Sequence, residues 1–282
     1  MKTINSISGG KTSAYMAVHF PADYNIFSLV TTTDKTCLFK DKKIRQIVGD
    51  KIGREFIGTL EEDTIIYTIL ELEQLMGKSI IWVAGKPFDE IIIRKEKRYL
   101  PNVTQRFCTT EMKITPINNY WFENIRELVY MNIGYRANET TRSNTMLDKV
   151  NKNGNLEYKF IVGKRKDLKN KWKSFEVSKP NFPLITNNIY KDNIVEYWKN
   201  KKVQFAYMNN CVGCFHRNEI FLKYMSIKQP IKFNWFVEAE TEGYGKRTFK
   251  NGITYEKIRN HKTQGNFFDN DFNDCDSGYC GI

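Results

Sequence analysis

Apolar and polar positions alternate over residues 2–7, which predicts a short half-buried strand. A glycine turn comes next, and the apolar run AYMAVHF then predicts a helix that Pro21 stops. Residues 24–30 (YNIFSLV) read as a second, buried strand ending in Thr31, Thr32, Thr33 and Asp34, and residues 41–48 resume a helical spacing. In residues 64–76, Ile65, Ile69, Leu72 and Met76 share one helical face, and SIIWVA at 79–84 is a third strand. Residues 102–108 form a loop leading into a helix around 111–122, and LVYMNI at 128–133 is a strand ending at Gly134. Strands alternating with helices predict an α/β fold, a Rossmann-like parallel sheet with helices on both faces.

From Lys149 to Pro180 the pattern weakens and lysine dominates, so this stretch reads as a hairpin or extended excursion off the sheet. Residues 183–200 predict one Asn-capped helix with Ile189, Ile194, Val195 and Trp198 inward. After about Val203 the chain carries four of its six cysteines and two further helical stretches. Residues 1–202 are expected to form the α/β domain and 203–282 a small C-terminal cysteine module. The aromatic runs KFNWFVEAE at 232–240 and FFDNDF at 267–272 are expected to be core.

Composition sharpens this picture in two ways. The 282 residues are 41% hydrophobic with no apolar run of membrane-spanning length, so a globular protein is expected, not inserted in a membrane, not secreted, and placed in the cytoplasm. The formal net charge of +12 favours polyanionic partners, with tRNA or DNA as possible acceptors. Arginine is scarce beside lysine, and its rigid fork holds phosphate oxygens two at a time, which draws notice to Arg106, Arg136 and Arg142.

Ser8, Gly9, Gly10, Lys11, Thr12 and Ser13 join the first strand to the first helix. Glycines let backbone N–H groups approach phosphate oxygens, the serines add hydroxyl donors, and the helix N-terminus adds partial positive charge. The spacing is neither a Walker loop nor GxGxxG. Further on, Gly134, Arg136, Glu139 and Arg142 lie just past a strand end, where two forks and a carboxylate can converge on phosphates or pair with one another. Arg106 and Lys113 have the same two readings, and Asp34 can meet a ribose or cap the next turn. Cys211 and Cys214 form a CxxC, and Cys275 and Cys280 close the chain. Four thiolates there can bind zinc; Cys108 can join Cys211, Cys214 and one tail cysteine around a [4Fe-4S] cluster; or the CxxC can cycle as a dithiol. Cys37 reads as an ordinary buried residue, and His216 as an exposed loop histidine.

The SGGKTS loop resembles the PP-loop of the adenine nucleotide α-hydrolase-like superfamily. RFCTTEMKITPI at 106–117, GYRANETTR at 134–142 and PLITNNIYKDNIVEYW at 183–198 are similar, in order, to elements of its phosphoadenosine-phosphosulfate (PAPS) reductase family. The resemblance implies an adenine nucleotide (ATP or PAPS), Mg2+, and catalytic roles for Lys11, Arg136 and Cys280. It implies an ATP pyrophosphatase that activates an acceptor for sulfur or amine transfer; the alternatives are a sulfonucleotide reductase, hence an oxidoreductase rather than a transferase, and a nucleotide-sensing module without turnover. Thr12 stands where many relatives carry Asp, Thr109 where cluster-bearing reductases pair a second cysteine, and the tail Tyr279-Cys280-Gly281-Ile282 lacks the reductases' flanking Glu and His.

Overall fold

A computed structural model describes residues 1–261, so Cys275, Cys280 and the 267–272 aromatic run lie outside the described residues. In chain order its elements are β1 (Thr3–Ile7), α1 (Lys11–His19), β2 (Tyr24–Leu29), α2 (Lys42–Ile52), α3 (Thr64–Met76), β3 (Ile81–Ala84), α4 (Phe88–Ile91), β4 (Ile93–Arg94), β5 (Lys97–Arg98) and α5 (Phe107–Thr109). After these come α6 (Thr115–Asn124), β6 (Val129–Asn132), α7 (Thr140–Leu147), β7 (Leu156–Lys164), β8 (Asn170–Asn181), α8 (Pro183–Thr186), α9 (Lys191–Lys199), α10 (Glu219–Lys228), α11 (Pro230–Thr241) and α12 (Tyr255–Asn260). Six strands form a mostly parallel sheet in the order β3-β2-β1-β6-β8-β7, flanked by helices and compatible with a Rossmann-like fold; β4 and β5 pair separately.

The chain divides into two compact units, neither of them contiguous. Met1–Phe27, Glu71–Ile81 and Ile117–Val203 make the first; Ser28–Leu70, Trp82–Pro116 and the described residues from Gln204 make the second. The break at 203/204 lies beside the sequence boundary, yet the residues after 203 share a core with two earlier stretches.

In the first unit, β1 runs parallel to both β2 and β6, and β6 runs parallel to β8. Four buried or half-buried asparagines stand in register across these strands. Asn5 Nδ2 donates to Asn25 Oδ1 (3.0 Å), Asn132 Nδ2 to Asn5 Oδ1 (2.8 Å), and Asn181 Nδ2 to Asn132 Oδ1 (2.6 Å). Each inner amide is thereby both donor and acceptor, and a one-residue slip of any strand would orphan buried amides. The ladder fixes register where aliphatic side chains alone would tolerate error.

One expectation is sharpened here and another changes. The lysine-rich stretch is a hairpin, as one of its two readings has it, and its base belongs to the sheet: β8 pairs with β6 from Val129↔Ser178 to Asn132↔Asn181, and β7 pairs antiparallel with β8 as the sheet's edge. Its weak pattern arises because the outer half of the hairpin has no layer to pack on. The helix expected over 183–200 is two helices, broken near Asn188, which has φ +54°; α9 starts afresh where Tyr190 N donates to Asn193 Oδ1 (2.9 Å). Ile194 and Trp198, one turn apart, are buried against α1, whereas Val195 is exposed because one residue's step turns it about 100° away.

The second unit is built on aromatic rings. Phe236 sits 5.8 Å from Phe88 and 5.3 Å from Phe249, and Phe249 lies 5.4 Å from Tyr255, measured between ring centres. The aromatic stripe of α11 is core, as its spacing predicts. Buried ions are threaded through it. Lys232 Nζ donates to Glu61 O and Asp63 Oδ1, both at 2.6 Å, and Glu240 accepts from Phe249 N (3.0 Å) and Tyr255 N (2.6 Å).

Candidate nucleotide loop and cysteine cavity

The chain builds β1, β2 and β3 outward in one direction and then returns to lay β6 on the other side of β1. The boundary between β1 and β6 is therefore the sheet's switch point, where two loops leaving the carboxyl ends of neighbouring strands diverge and leave a crevice. Both glycine-bearing loops singled out in the sequence leave there. At the first, Gly9 has φ +79°, a conformation costly for other residues. Ser13 Oγ accepts from Ser8 N (3.1 Å), lies 3.1 Å from Ser8 Oγ, and donates to Gly10 O (3.1 Å), so the loop is closed by its own hydroxyls. α1 starts at Lys11 with Gly10 as its cap; no side chain caps it and no acid stands in its first turn. Its partial positive charge is thus not neutralised by a carboxylate of that turn. Trp198 Nε1 donates to Lys11 O (2.9 Å) and ties this turn to α9.

The second loop packs on the first: a β-carbon at Gly134 would lie 3.5 Å from Ser13 Cα. Beyond it, Glu139 holds both arginines. Its Oε2 accepts from Arg136 N (2.8 Å) and Arg136 Nε (3.1 Å), and its Oε1 accepts from Arg142 Nη1 (2.5 Å). The Arg142 guanidinium also lies 4.2 Å from the centre of the Tyr135 ring, which stacks on Phe182. Burial works to raise the Glu139 carboxyl, but the Arg136 backbone N–H and the two guanidinium charges outweigh it and hold it below its ordinary value. The ion pairing and the gathering of two forks at the strand end are therefore one arrangement.

In the second unit, Cys108, Cys211 and Cys214 line one cavity, partly open to solvent, together with Lys113, His216 and the rings of Phe88, Phe236 and Phe249. Cys108 is on α5, and the next turn, Thr110–Ile114, is π-helical, a form that recurs at functional sites. Gly85 admits that wide turn, since a β-carbon there would meet Glu111 O at 2.3 Å. Lys113 Nζ pairs with the buried Glu61 at 2.9 Å. Glu61 in turn bridges to Cys211, and Val212 N donates to Leu60 O (2.8 Å), so the same short stretch positions lysine and CxxC. Tyr255 Oη donates to Gly213 O (3.0 Å), and Gly213 is required because a β-carbon would lie 2.4 Å from the Phe236 ring.

His216 is half-buried on the cavity wall, not exposed. Burial first, then Arg106, Arg217 and Lys250, push its imidazole down to about 4, so it is neutral at pH 7 in positive surroundings. Its place directly after the CxxC was the available signal. Asp34 caps the 3-10 turn Lys35–Cys37, accepting from Thr36 N (2.8 Å) and Thr36 Oγ1 (2.7 Å). Cys37 is buried and its thiol is raised to about 11, chiefly by burial. None of Cys37, Cys108, Cys211 and Cys214 is in a disulfide, and among the described residues no group of three or more His, Cys, Asp or Glu is drawn together around a metal-ion position. No helix among the described residues is long and apolar enough to cross a membrane. No protein-family model matches the chain, and neither does any curated protein or solved structure.

Proposed function

We propose that the chain is an adenine-nucleotide enzyme of the PP-loop, PAPS-reductase type that cleaves ATP to AMP and pyrophosphate and so activates an acceptor for sulfur or amine transfer. The observation that carries this reading is the meeting of the 8–13 and 134–142 loops at the carboxyl ends of β1 and β6, at the switch point of the sheet. In the step proposed, an acceptor oxygen attacks the α-phosphorus; the new O–P bond forms as the bond to the β-phosphate oxygen breaks, and its electron pair leaves on pyrophosphate. The sulfur or amine nucleophile then bonds to the acceptor carbon as its C–O bond breaks, and that electron pair leaves on AMP. Main-chain N–H groups of the loop and the start of α1 stabilise that developing charge, and Lys11 adds a cation. Arg136 and Arg142, aligned by Glu139, offset charge on the phosphates.

Glu139 is the one acid in these two loops and is committed to both arginines, so the loops offer no carboxylate set of their own for Mg2+. What supports a thiolate-held group in the second unit is that three thiols line one cavity, although they are not drawn together around one metal position, and that Arg106, Arg217 and Lys250 set positive charge beside its wall. Cys108, Cys211 and Cys214 would hold a [4Fe-4S] cluster with Cys275 or Cys280 as fourth ligand; zinc would instead be held by Cys211, Cys214, Cys275 and Cys280. When bound, such a cluster supplies electron-transfer or sulfur-directed chemistry.

Pure protein kept anaerobic and incubated separately with ATP and with PAPS decides between the readings. AMP plus pyrophosphate from ATP is expected. Sulfite from PAPS without ATP cleavage would replace this reading with sulfonucleotide reduction by Cys280, and binding of ATP without turnover of either would replace it with a sensing module.

A further inference from the structure

The β7–β8 hairpin has two halves of different chemistry. Its base is anchored: Phe160 stacks on Phe122 at 4.5 Å and lies 5.8 Å from Trp121, and Phe175 closes the cluster from the partner strand. Past Phe160 the hairpin is a two-stranded ribbon whose residues 161–169 are all exposed. Residues 161–173 carry six cations (Lys164, Arg165, Lys166, Lys169, Lys171 and Lys173) against one acid, Asp167, so thirteen residues hold +5 of the chain's net +12. Compositional drift toward lysine would spread the charge; here it is concentrated at one place.

Protection of a sheet edge by lysine accounts for cations but not for the apolar residues among them. Trp172 is 54% exposed and Leu168 80%, and Ile161, directly across from Trp172, is exposed as well. By strand alternation Trp172 and Ile161 stand on the face opposite the anchored Phe160 and Phe175. Lys159, opposite Ser174, and Lys164, opposite Asn170, stand on that same face on either side of them. An aromatic plate between cations matches a strand of nucleic acid, which offers a base to stack and phosphates to neutralise. A lipid surface would call for an apolar tip, whereas this turn reads Arg165, Lys166, Asp167, Leu168, Lys169.

We propose that the β7–β8 hairpin is a nucleic-acid-binding ribbon on which Trp172 stacks against an unpaired base and the surrounding lysines and Arg165 hold the backbone. This deepens the reading above by naming the acceptor's class; it rests on that reading for what the strand is bound for, while binding itself needs no nucleotide. The test is fluorescence anisotropy of the full chain with labelled single-stranded RNA and DNA 20-mers and with tRNA, without ATP, over about 50 to 200 mM salt. Affinity should fall steeply with salt. Lys159→Glu, Lys164→Glu and Lys166→Glu together should lower it at least about 30-fold and flatten the salt dependence. Trp172→Ala should cost about 10-fold and leave the salt slope unchanged. An unchanged urea midpoint certifies the fold of each variant, and Lys→Gln at the same three positions replaces the reversal if the midpoint moves. Full affinity in both variants, or binding to phosphatidylglycerol vesicles in place of the oligonucleotides, would overturn the proposal. Oligonucleotide binding without ATP cleavage would instead remove the catalytic reading and leave this one standing.

Discussion

At the 8–13 loop the groups offered to a ligand are main-chain donors from one contiguous stretch, closed by two serine hydroxyls whose hydrogen bonds, each 3.1 Å, stay within it. At the cysteine cavity the walls come from Phe88, from residues of the 108–113 and 211–216 stretches, and from Phe236 and Phe249, which only the tertiary core brings together. The first site depends on local backbone geometry and the second on packing, so they should respond to different perturbations. Substitutions that damage the cavity should act mainly through stability; those that damage the loop should act mainly through binding, with a smaller loss of stability.

The largest effect is expected at Gly213. Gly213→Val places a branched side chain where even a β-carbon would lie 2.4 Å from the Phe236 ring, and overpacking of this kind should cost about 3 kcal/mol, read as a lowered urea midpoint. A midpoint within error of the parent would mean that Phe236 does not pack on the CxxC turn. Lys232→Met comes next: it leaves Asp63 and the Glu61 carbonyl without the ammonium and should cost about 2 kcal/mol, below the range for a fully buried pair because Asp63 is partly exposed. Asn132→Leu sharpens the comparison from the other unit. It orphans the Asn5 oxygen and the Asn181 amide, for about 2 kcal/mol or slightly less, and Asn5→Asp in the same ladder should be no better tolerated.

The smallest effect is electrostatic. The Glu139 carboxyl is held below its ordinary value, so its contribution to stability is fully present above that value, near 4.5, and is lost as the pH falls through the lower folded one. Glu139→Gln should therefore cost about 1 kcal/mol at pH 7 and nothing once the pH is below the folded value, so the variant's acid limb is flatter. Parallel stability profiles of the two proteins from pH 7 to 2 would show that the arginines are not held by this carboxylate.

The sequence announces the loop because its signals are local: Gly9, Gly10 and the strand-to-helix change all fall within a few residues. The α3 helix is legible for the same reason, its apolar face repeating over a full thirteen residues. The asparagine ladder is illegible, since Asn5, Asn25, Asn132 and Asn181 become neighbours only through strand order, and a lone polar residue in a strand signals nothing. The cavity is half legible. CxxC is visible in the chain, but the roles of Gly85, Glu61 and Tyr255 depend on what lies across the fold, and His216 could be placed only once the aromatic core was seen to enclose it. The hairpin is legible as a hairpin, but its membership of the sheet is not, because regular strands with no layer against one half show no apolar alternation there.

The central claim is that the switch point between β1 and β6 receives nucleotide phosphates, and calorimetric titration of ATP into the parent chain and into Gly9→Val tests it most directly. Because Gly9 sits at φ +79° in a turn outside the strands and helices, valine should distort the loop at a cost of about 1 to 2 kcal/mol, read from the urea midpoint and well below the Gly213→Val loss. The account predicts saturable ATP binding to the parent and its loss in Gly9→Val; undiminished ATP affinity in the variant, or no binding by the parent, would contradict it.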